Sequence, residues 1–297
     1  MRVFVTGATG FVGSAIVKEL IGAGHKVLGL ARSEANAAAL TAAGAEIHLG
    51  DLDDLESLRE GAAAADGVIH AGFIHDWANI AKSCETDRIA IETLGAALAG
   101  SDRLLIITSG TALLSPGHLA TEDIVPVYTP GSFPRVLSEV AAHRMMQEGA
   151  KVAIMRLPPS VHGDGDHGFV PILIGVARQK GVAAYVGEGL NLWPAVHRLD
   201  AAVLYRLVLE QALTGRFHAA AEQGVPFKEI AGAIGRGLQL PVVSKRPEEA
   251  AEHFGWFAHF AAIDAPASSA ETRERTGWAP ERVELIADLD YGKYFGG

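Results

Sequence analysis

The sequence holds a single cysteine, Cys84, among 297 residues. One thiol excludes an intramolecular disulfide framework and fits a reducing compartment, and its expected role is that of a small packed side chain. An excess of positive charge is also missing: 25 Lys and Arg stand against 35 Asp and Glu, for a net charge of −10. The acidic balance is spread without long runs, so neither nucleic acid nor an anionic membrane is an expected partner. No apolar run approaches the length of a membrane span, and Met1-Arg2 leads straight into a strand pattern rather than a signal peptide. The cytoplasm is therefore the expected location. Metal-ligand spacing is lacking as well. Val161-His-Gly-Asp-Gly-Asp-His167 carries two histidines and two acids, yet it matches no zinc or EF-hand pattern, and no metal is expected.

What is present is an apolar chain, 49% hydrophobic and 20% charged, able to bury a large core as one α/β unit or as a main domain with a smaller appendage. Its opening residues carry the clearest pattern. Val3-Phe-Val-Thr-Gly-Ala-Thr-Gly-Phe-Val-Gly-Ser14 runs from an apolar strand through a glycine-rich turn into a segment whose residues Val12, Ala15, Ile16, Leu20 and Ile21 share one helical face. In such a strand–loop–helix unit Gly7 permits the tight turn, Gly10 lets the backbone approach a pyrophosphate, and Gly13 lets the helix pack against the strand. The helix N-terminus offers unpaired N–H groups to the anion. The chain opens on a dinucleotide site.

Strand patterns at 26–30, 46–49, 67–70, 103–108 and 152–156 then alternate with helical patterns at 35–43, 54–65 (capped by Asp53), within 76–98, and at 136–147. Alternation of this kind predicts an α/β fold with a doubly wound parallel sheet of the Rossmann type. Residues 110–134, with Ser115-Pro116-Gly117 and Thr129-Pro130-Gly131, read as a loop. Beyond Arg156 the alternation gives way to glycine- and proline-rich loops, with helices expected at 169–178, 200–212, 228–237 and 270–276 and strands at 183–186 and 216–220. The expected organisation is a dinucleotide-binding domain over 1–156 and a smaller C-terminal substrate lobe over 157–297, with segments near 195–220 returning to the first domain.

The octapeptide TGATGFVG at 6–13 closely resembles the cofactor motif of the extended and atypical short-chain dehydrogenase/reductases, the NAD-dependent epimerase/dehydratase-like proteins. Gly50-Asp51-Leu52, Ile107-Thr108-Ser109, Arg156-Leu157-Pro158 with Gly163, and Gly277-Trp278-Ala279-Pro280 extend the resemblance over nearly the whole chain. It implies that Gly7, Thr9, Gly10, Phe11, Val12 and Gly13 hold the cofactor, that Asp51 and Leu52 close over the adenine, and that Ala71 and Gly72 let its backbone pass. Thr108, Pro158 and Val161 fall on further cofactor positions. At the tip of the second strand, where an acid would favour NAD, stand Arg32 and Ser33. A guanidinium and a hydroxyl there favour the 2′-phosphate of NADP, against the competing reading of a solvated loop cation.

The family usually works with Asn, Ser, Tyr and Lys. Here YxxSK aligns with Arg135-Val-Leu-Ser138-Glu139, the Asn position falls on Asp87, and only Ser109 is retained. Arginine stays protonated and cannot serve as proton donor, so the ordinary mechanism cannot run. Arg135 can still stabilise a developing alkoxide, with Ser109 and Thr111 as hydroxyl donors, Glu139 accepting from the nicotinamide ribose, and water supplying the proton. The competing reading is a surface ion pair between Arg135 and Glu139 at i,i+4. Tyr128 and Tyr185 are alternative phenols that the sequence does not place. His162 and His167 are expected as pocket walls, His197 as a structural histidine or substrate contact, and Phe254, Trp256, Phe257 and Phe260 as core or lid. The expected function is an NADP(H)-dependent oxidoreductase or epimerase-like enzyme on a small carbonyl or alcohol substrate. The rival is a catalytically silent NADP(H) sensor. Helices near 87–98 and 136–147 resemble those of a family four-helix interface, which implies a homodimer.

Overall fold

The computed structural model describes residues 1–114 and 117–296; the Ser115-Pro116 pair of the expected turn lies outside them. The first half of the chain runs β1 (Arg2–Thr6), α1 (Phe11–Gly22), β2 (Lys26–Ala31), α2 (Glu34–Ala42), β3 (Glu46–Leu49), α3 (Leu55–Ala63), β4 (Gly67–His70), α4 (Ile80–Leu98), β5 (Leu105–Gly110), α5 (Val136–Gln147) and β6 (Val152–Leu157). Then follow β7 (Ser160–His162), α6 (Phe169–Lys180), β8 (Ala183–Val186), β9 (Leu192–His197), α7 (Arg198–Glu210), β10 (Gly215–His218), β11 (Glu222–Pro226), α8 (Phe227–Leu238) and β12 (Val242–Lys245). Four short helices close the chain: α9 (Ala250–Phe254), α10 (Ala258–Ala262), α11 (Ala270–Thr276) and α12 (Leu285–Tyr291).

Seven parallel strands form the main sheet in the order β10-β6-β5-β4-β1-β2-β3. The order reverses between β1 and β4, and ligands of open α/β sheets bind outside the carboxyl ends of the strands at such a switch point. One face carries a core of Val3, Val5, Ile16, Leu20, Tyr205 and Phe217, where α7 packs against α1. The other buries Phe4, Leu58, Ile91, Leu94, Ala142 and Ile154 under α3, α4 and α5. A second core, centred on Trp193, Phe227, Phe257 and Leu285, belongs to the C-terminal lobe. That lobe carries the small sheets β11-β9-β7 and β12-β8. Strands β7, β11 and β12 carry no sequence signal of their own, since each is short and its pairing is set by the lobe's packing rather than by alternation.

One cap differs from expectation. Asp54, not Asp53, accepts from the Ser57 N–H at the start of α3. The chain turns into that cap because Asp51 Oδ1 accepts from the backbone N–H groups of both Asp53 and Asp54. Among the described residues no helix is long and apolar enough to cross a membrane.

Candidate functional site

The glycine loop is built by close contact. Gly7 has φ +65°, and a Cβ there would lie 2.6 Å from Gly72 N. A Cβ on Gly13 would lie 2.0 Å from the Gly7 carbonyl oxygen, so any side chain would drive α1 off the loop. No side chain caps the N-terminus of α1, which leaves its first N–H groups for an anion. Beside this loop runs a cleft of about 260 Å³. Its walls include Gly7, Thr9, Gly10, Arg32, Asp51, Leu52 and Gly72, together with Asn36, Phe73 and Ile74, which the sequence did not single out. The cradle, the bare helix end and the cleft fit a dinucleotide. Arg32 is exposed on the wall and makes no ion pair among the described residues. Ser33 Oγ caps α2 by accepting from Asn36 N at 3.3 Å, which leaves its hydroxyl proton free to donate. Phe11, Val12 and Gly13 form the first turn of α1, where the Arg198 guanidinium lies 4.8 Å from the Phe11 ring centre.

Two buried clusters gather the residues expected at the catalytic positions, and the sheet register sets the first of them. Ser109, Arg156 and His218 stand opposite one another on β5, β6 and β10. Glu139 of α5 comes down onto this row. Arg156 donates from Nε to Glu139 Oε1 at 3.0 Å and from Nη2 to Oε2 at 2.7 Å, and Ser109 Oγ donates to Oε1 at 2.6 Å. Glu139 and Arg156 are both fully buried. This corrects two expectations: Glu139 neither pairs with Arg135 on the helix surface nor reaches a ribose, because both its oxygens are already engaged beneath the sheet edge. Arg156 also lies 3.1 Å from His218 Nε2, and burial, followed by that guanidinium, pushes His218 down to about 4.

In the second cluster Asp87 of α4 takes hydrogen bonds from Arg135 Nη1, from Ser138 Oγ at 2.5 Å and from His70 Nε2 at 3.2 Å. Burial alone would push the Asp87 carboxyl up; the Arg135 guanidinium, aided by His70 and Ser138, more than reverses this and holds it below the ordinary carboxylate range. Asp87 as a carboxylate can only accept, so His70 Nε2 carries a proton toward it, while Nδ1 lies 2.8 Å from Thr6 Oγ1, which also accepts from Gly72 N. Thr108 is consumed in the same way: its hydroxyl donates to the His70 carbonyl and accepts from Tyr205 at 2.7 Å, and its own carbonyl takes Arg135 Nη2 at 2.8 Å.

Of the four expected catalytic residues, Arg135 keeps the most donors to spare. Its guanidinium has five N–H bonds. Three go to Asp87, Ser138 and Thr108, while Nε and one Nη2 hydrogen have no acceptor among the described residues. It lies 4.2 Å over the ring of Phe73, a residue of the cofactor cleft. The Ser109 proton is committed to Glu139, whereas the Thr111 hydroxyl is buried with no partner among the described residues, which leaves its proton uncommitted. Tyr128 is exposed on the loop before α5 and Tyr185 packs in the C-terminal lobe; the phenol that reaches the cluster is Tyr205, with its proton turned inward.

The loop after β6 is tied to the chain's last residues. His162 Nδ1 meets Asp288 at 2.8 Å, and the Tyr294 hydroxyl accepts from Gly163 N at 3.0 Å while donating to Asp166. Pro158 is buried and Val161 packs on the main core, while Ala71 backs the Gly7 turn. His197 caps α7 by accepting from Leu199 N. Among the described residues no group of three or more His, Cys, Asp or Glu side chains could hold a metal ion.

The NAD dependent epimerase/dehydratase family matches residues 3–219. An uncharacterized protein of Schizosaccharomyces pombe is 52% identical over 297 residues, spanning 99% of this chain and 100% of its own length. The 2-alkyl-3-oxoalkanoate reductase of Stenotrophomonas maltophilia is 27% identical over 264 residues, 82% of this chain and 78% of that protein. Among solved structures, Thermus thermophilus UDP-glucose 4-epimerase in complex with NAD shares the fold at a TM-score of 0.76 and 19% identity, over 98% of this chain and 97% of that one. With its glycine cradle at the switch point of a seven-stranded parallel sheet, the chain belongs to the NAD dependent epimerase/dehydratase family.

Proposed function

We propose that the protein is an NADP(H)-dependent oxidoreductase acting on a small carbonyl or alcohol substrate. The observation that carries this reading is Arg135, a guanidinium fixed by three hydrogen bonds beside the cofactor cleft with two N–H groups unspent. Gly7, Gly10 and the α1 N-terminus would hold the pyrophosphate, and Arg32 with Asn36 the 2′-phosphate of the adenosine ribose. When bound, the nicotinamide supplies or accepts a hydride at the substrate carbon. Arg135 then stabilises the negative charge on the substrate oxygen, and solvent water supplies the proton, since the hydroxyl protons of Ser109 and Tyr205 are turned away. A reductase among the chain's relatives supports the reaction class.

A second reading, a silent NADP(H) sensor, is favoured by the internal pairing of Asp87, Ser109 and Glu139. One experiment separates the two: NADPH consumption over a panel of aldehydes, ketones and quinones by wild type and Arg135→Lys. Lysine keeps a counter-charge for Asp87 but withdraws the planar fork. A fall in kcat of about 10²–10³ is expected, the scale for loss of a preorganised oxyanion donor. NADPH binding with no turnover of any substrate would leave the sensor.

A further inference from the structure

Around Arg135 the side chains run in a closed circuit of aromatic contacts. Its guanidinium lies 4.2 Å over Phe73; Phe73 meets His75 at 5.1 Å between ring centres, His75 meets Trp77 at 6.2 Å, and Trp77 meets Phe260 at 5.6 Å. Phe260 then meets Phe133 at 6.3 Å, two residues before Arg135. Trp256 stacks on Trp77 from outside at 4.9 Å and 27°. Three separate segments supply these rings: the stretch after β4, the stretch before α5, and the residues between α9 and the end of α10.

This circuit rests on the lobe core, against which Phe260 packs, without being buried in it. Trp193, Phe227, Phe254 and Phe257 are the buried aromatics of the lobe beneath it, whereas Phe73, Trp77, Phe133 and Phe260 are only half-buried and Trp256 is 53% exposed. Neither the Trp77 nor the Trp256 indole N–H has an acceptor among the described residues. Two stacked indoles left facing water are costly unless another ring covers them. Polar recognition is sparse: the circuit contains one imidazole and one guanidinium, the latter offset by Asp87, and Asp76 alongside is occupied in capping the turn at Trp77–Asn79. A sugar's row of hydroxyls would find few partners there, while a flat π-system would find ring faces on several sides and the Arg135 N–H groups for its oxygen.

Building on the oxidoreductase reading, we infer that the substrate is a planar, uncharged aromatic carbonyl compound, a ketone or quinone whose ring stacks on the Trp77–Trp256 side while its oxygen meets Arg135. The test is equilibrium dialysis of the full chain, saturated with NADP⁺, against methyl naphthyl ketone and against methyl nonyl ketone, an aliphatic ketone of similar apolar size. The aromatic ketone binds about three- to tenfold more tightly, the worth of one well-formed aromatic contact. Trp256→Ala abolishes the preference and Trp256→Phe restores most of it. Equal affinities for the two ketones, including undetectable binding of both, or an unchanged preference in Trp256→Ala, overturn the inference. Binding requires no turnover, so the two readings fail separately. Aromatic-selective binding without NADPH consumption removes the oxidoreductase and keeps the aromatic site, and turnover of ketones without aromatic preference does the reverse.

Discussion

Replacing Glu139 by the lysine of the family motif is expected to unfold the protein rather than to improve it. Glu139 is fully buried and bonded through both oxygens to an equally buried Arg156, with Ser109 as third donor. Removing one partner of such a pair costs about 3–5 kcal/mol, because the remaining charge is left in a low dielectric without compensation. Glu139→Gln probes that loss alone and should lower the melting temperature by on the order of 10 °C. Glu139→Lys adds a second cation against the guanidinium, so the penalty approaches the total stability of a typical domain, about 5–15 kcal/mol. The assay is thermal unfolding followed by circular dichroism without cofactor, on wild type, both single variants, Arg156→Met and the Glu139→Gln/Arg156→Met double. The double should lose clearly less than the two singles added together, since no lone charge remains. A soluble Glu139→Lys protein melting within a few degrees of wild type would refute the pairing and return Glu139 to a solvated position.

Other consequences follow from the same geometry. NADPH should bind at least tenfold more tightly than NADH, and Arg32→Glu should erase the difference in a fluorescence titration; equal affinities in wild type would remove Arg32 from the site. Gly13→Ala, whose methyl would collide with the Gly7 carbonyl, should weaken NADPH at least tenfold in the same titration without unfolding the sheet. His218 is held neutral by burial and by Arg156 to about 4, below its ordinary value of 6.5. Its contribution is therefore fully present above pH 6.5 and is lost as the pH falls towards 4, by roughly 3 kcal/mol. The urea midpoints of wild type and His218→Gln should converge on going from neutral to acid pH; a gap that stays constant would place the acid lability on another group. Light scattering at micromolar concentration should give a dimer mass, with α4 and α5 as the contact; a monomer mass counts against that arrangement.

The parallel sheet and the glycine cradle were legible in the chain itself. Both are written in local pattern: apolar strands a few residues long, helices with one apolar face, and glycines wherever a Cβ would strike backbone, as at Gly7 and Gly13. The cleft beside the glycine loop was legible for the same reason, except for Asn36, Phe73 and Ile74, which reach it only through the curl of the chain after β2 and β4. The expected catalytic positions come from the family motif, which says nothing of their partners. Spacing alone pairs Arg135 with Glu139, four residues on. Tertiary structure separates them: α5 turns Glu139 toward the sheet, where the β5–β6 register has set Arg156 beside Ser109, and leaves Arg135 to Asp87 of the neighbouring helix. Helical spacing gives the neighbours a residue has on its own helix, whereas a buried charge is matched by whichever opposite charge the packed elements bring within hydrogen-bonding distance. Arg156 and Asp87 lie 17 and 48 residues from the side chains they neutralise, and only the folded sheet brings them there.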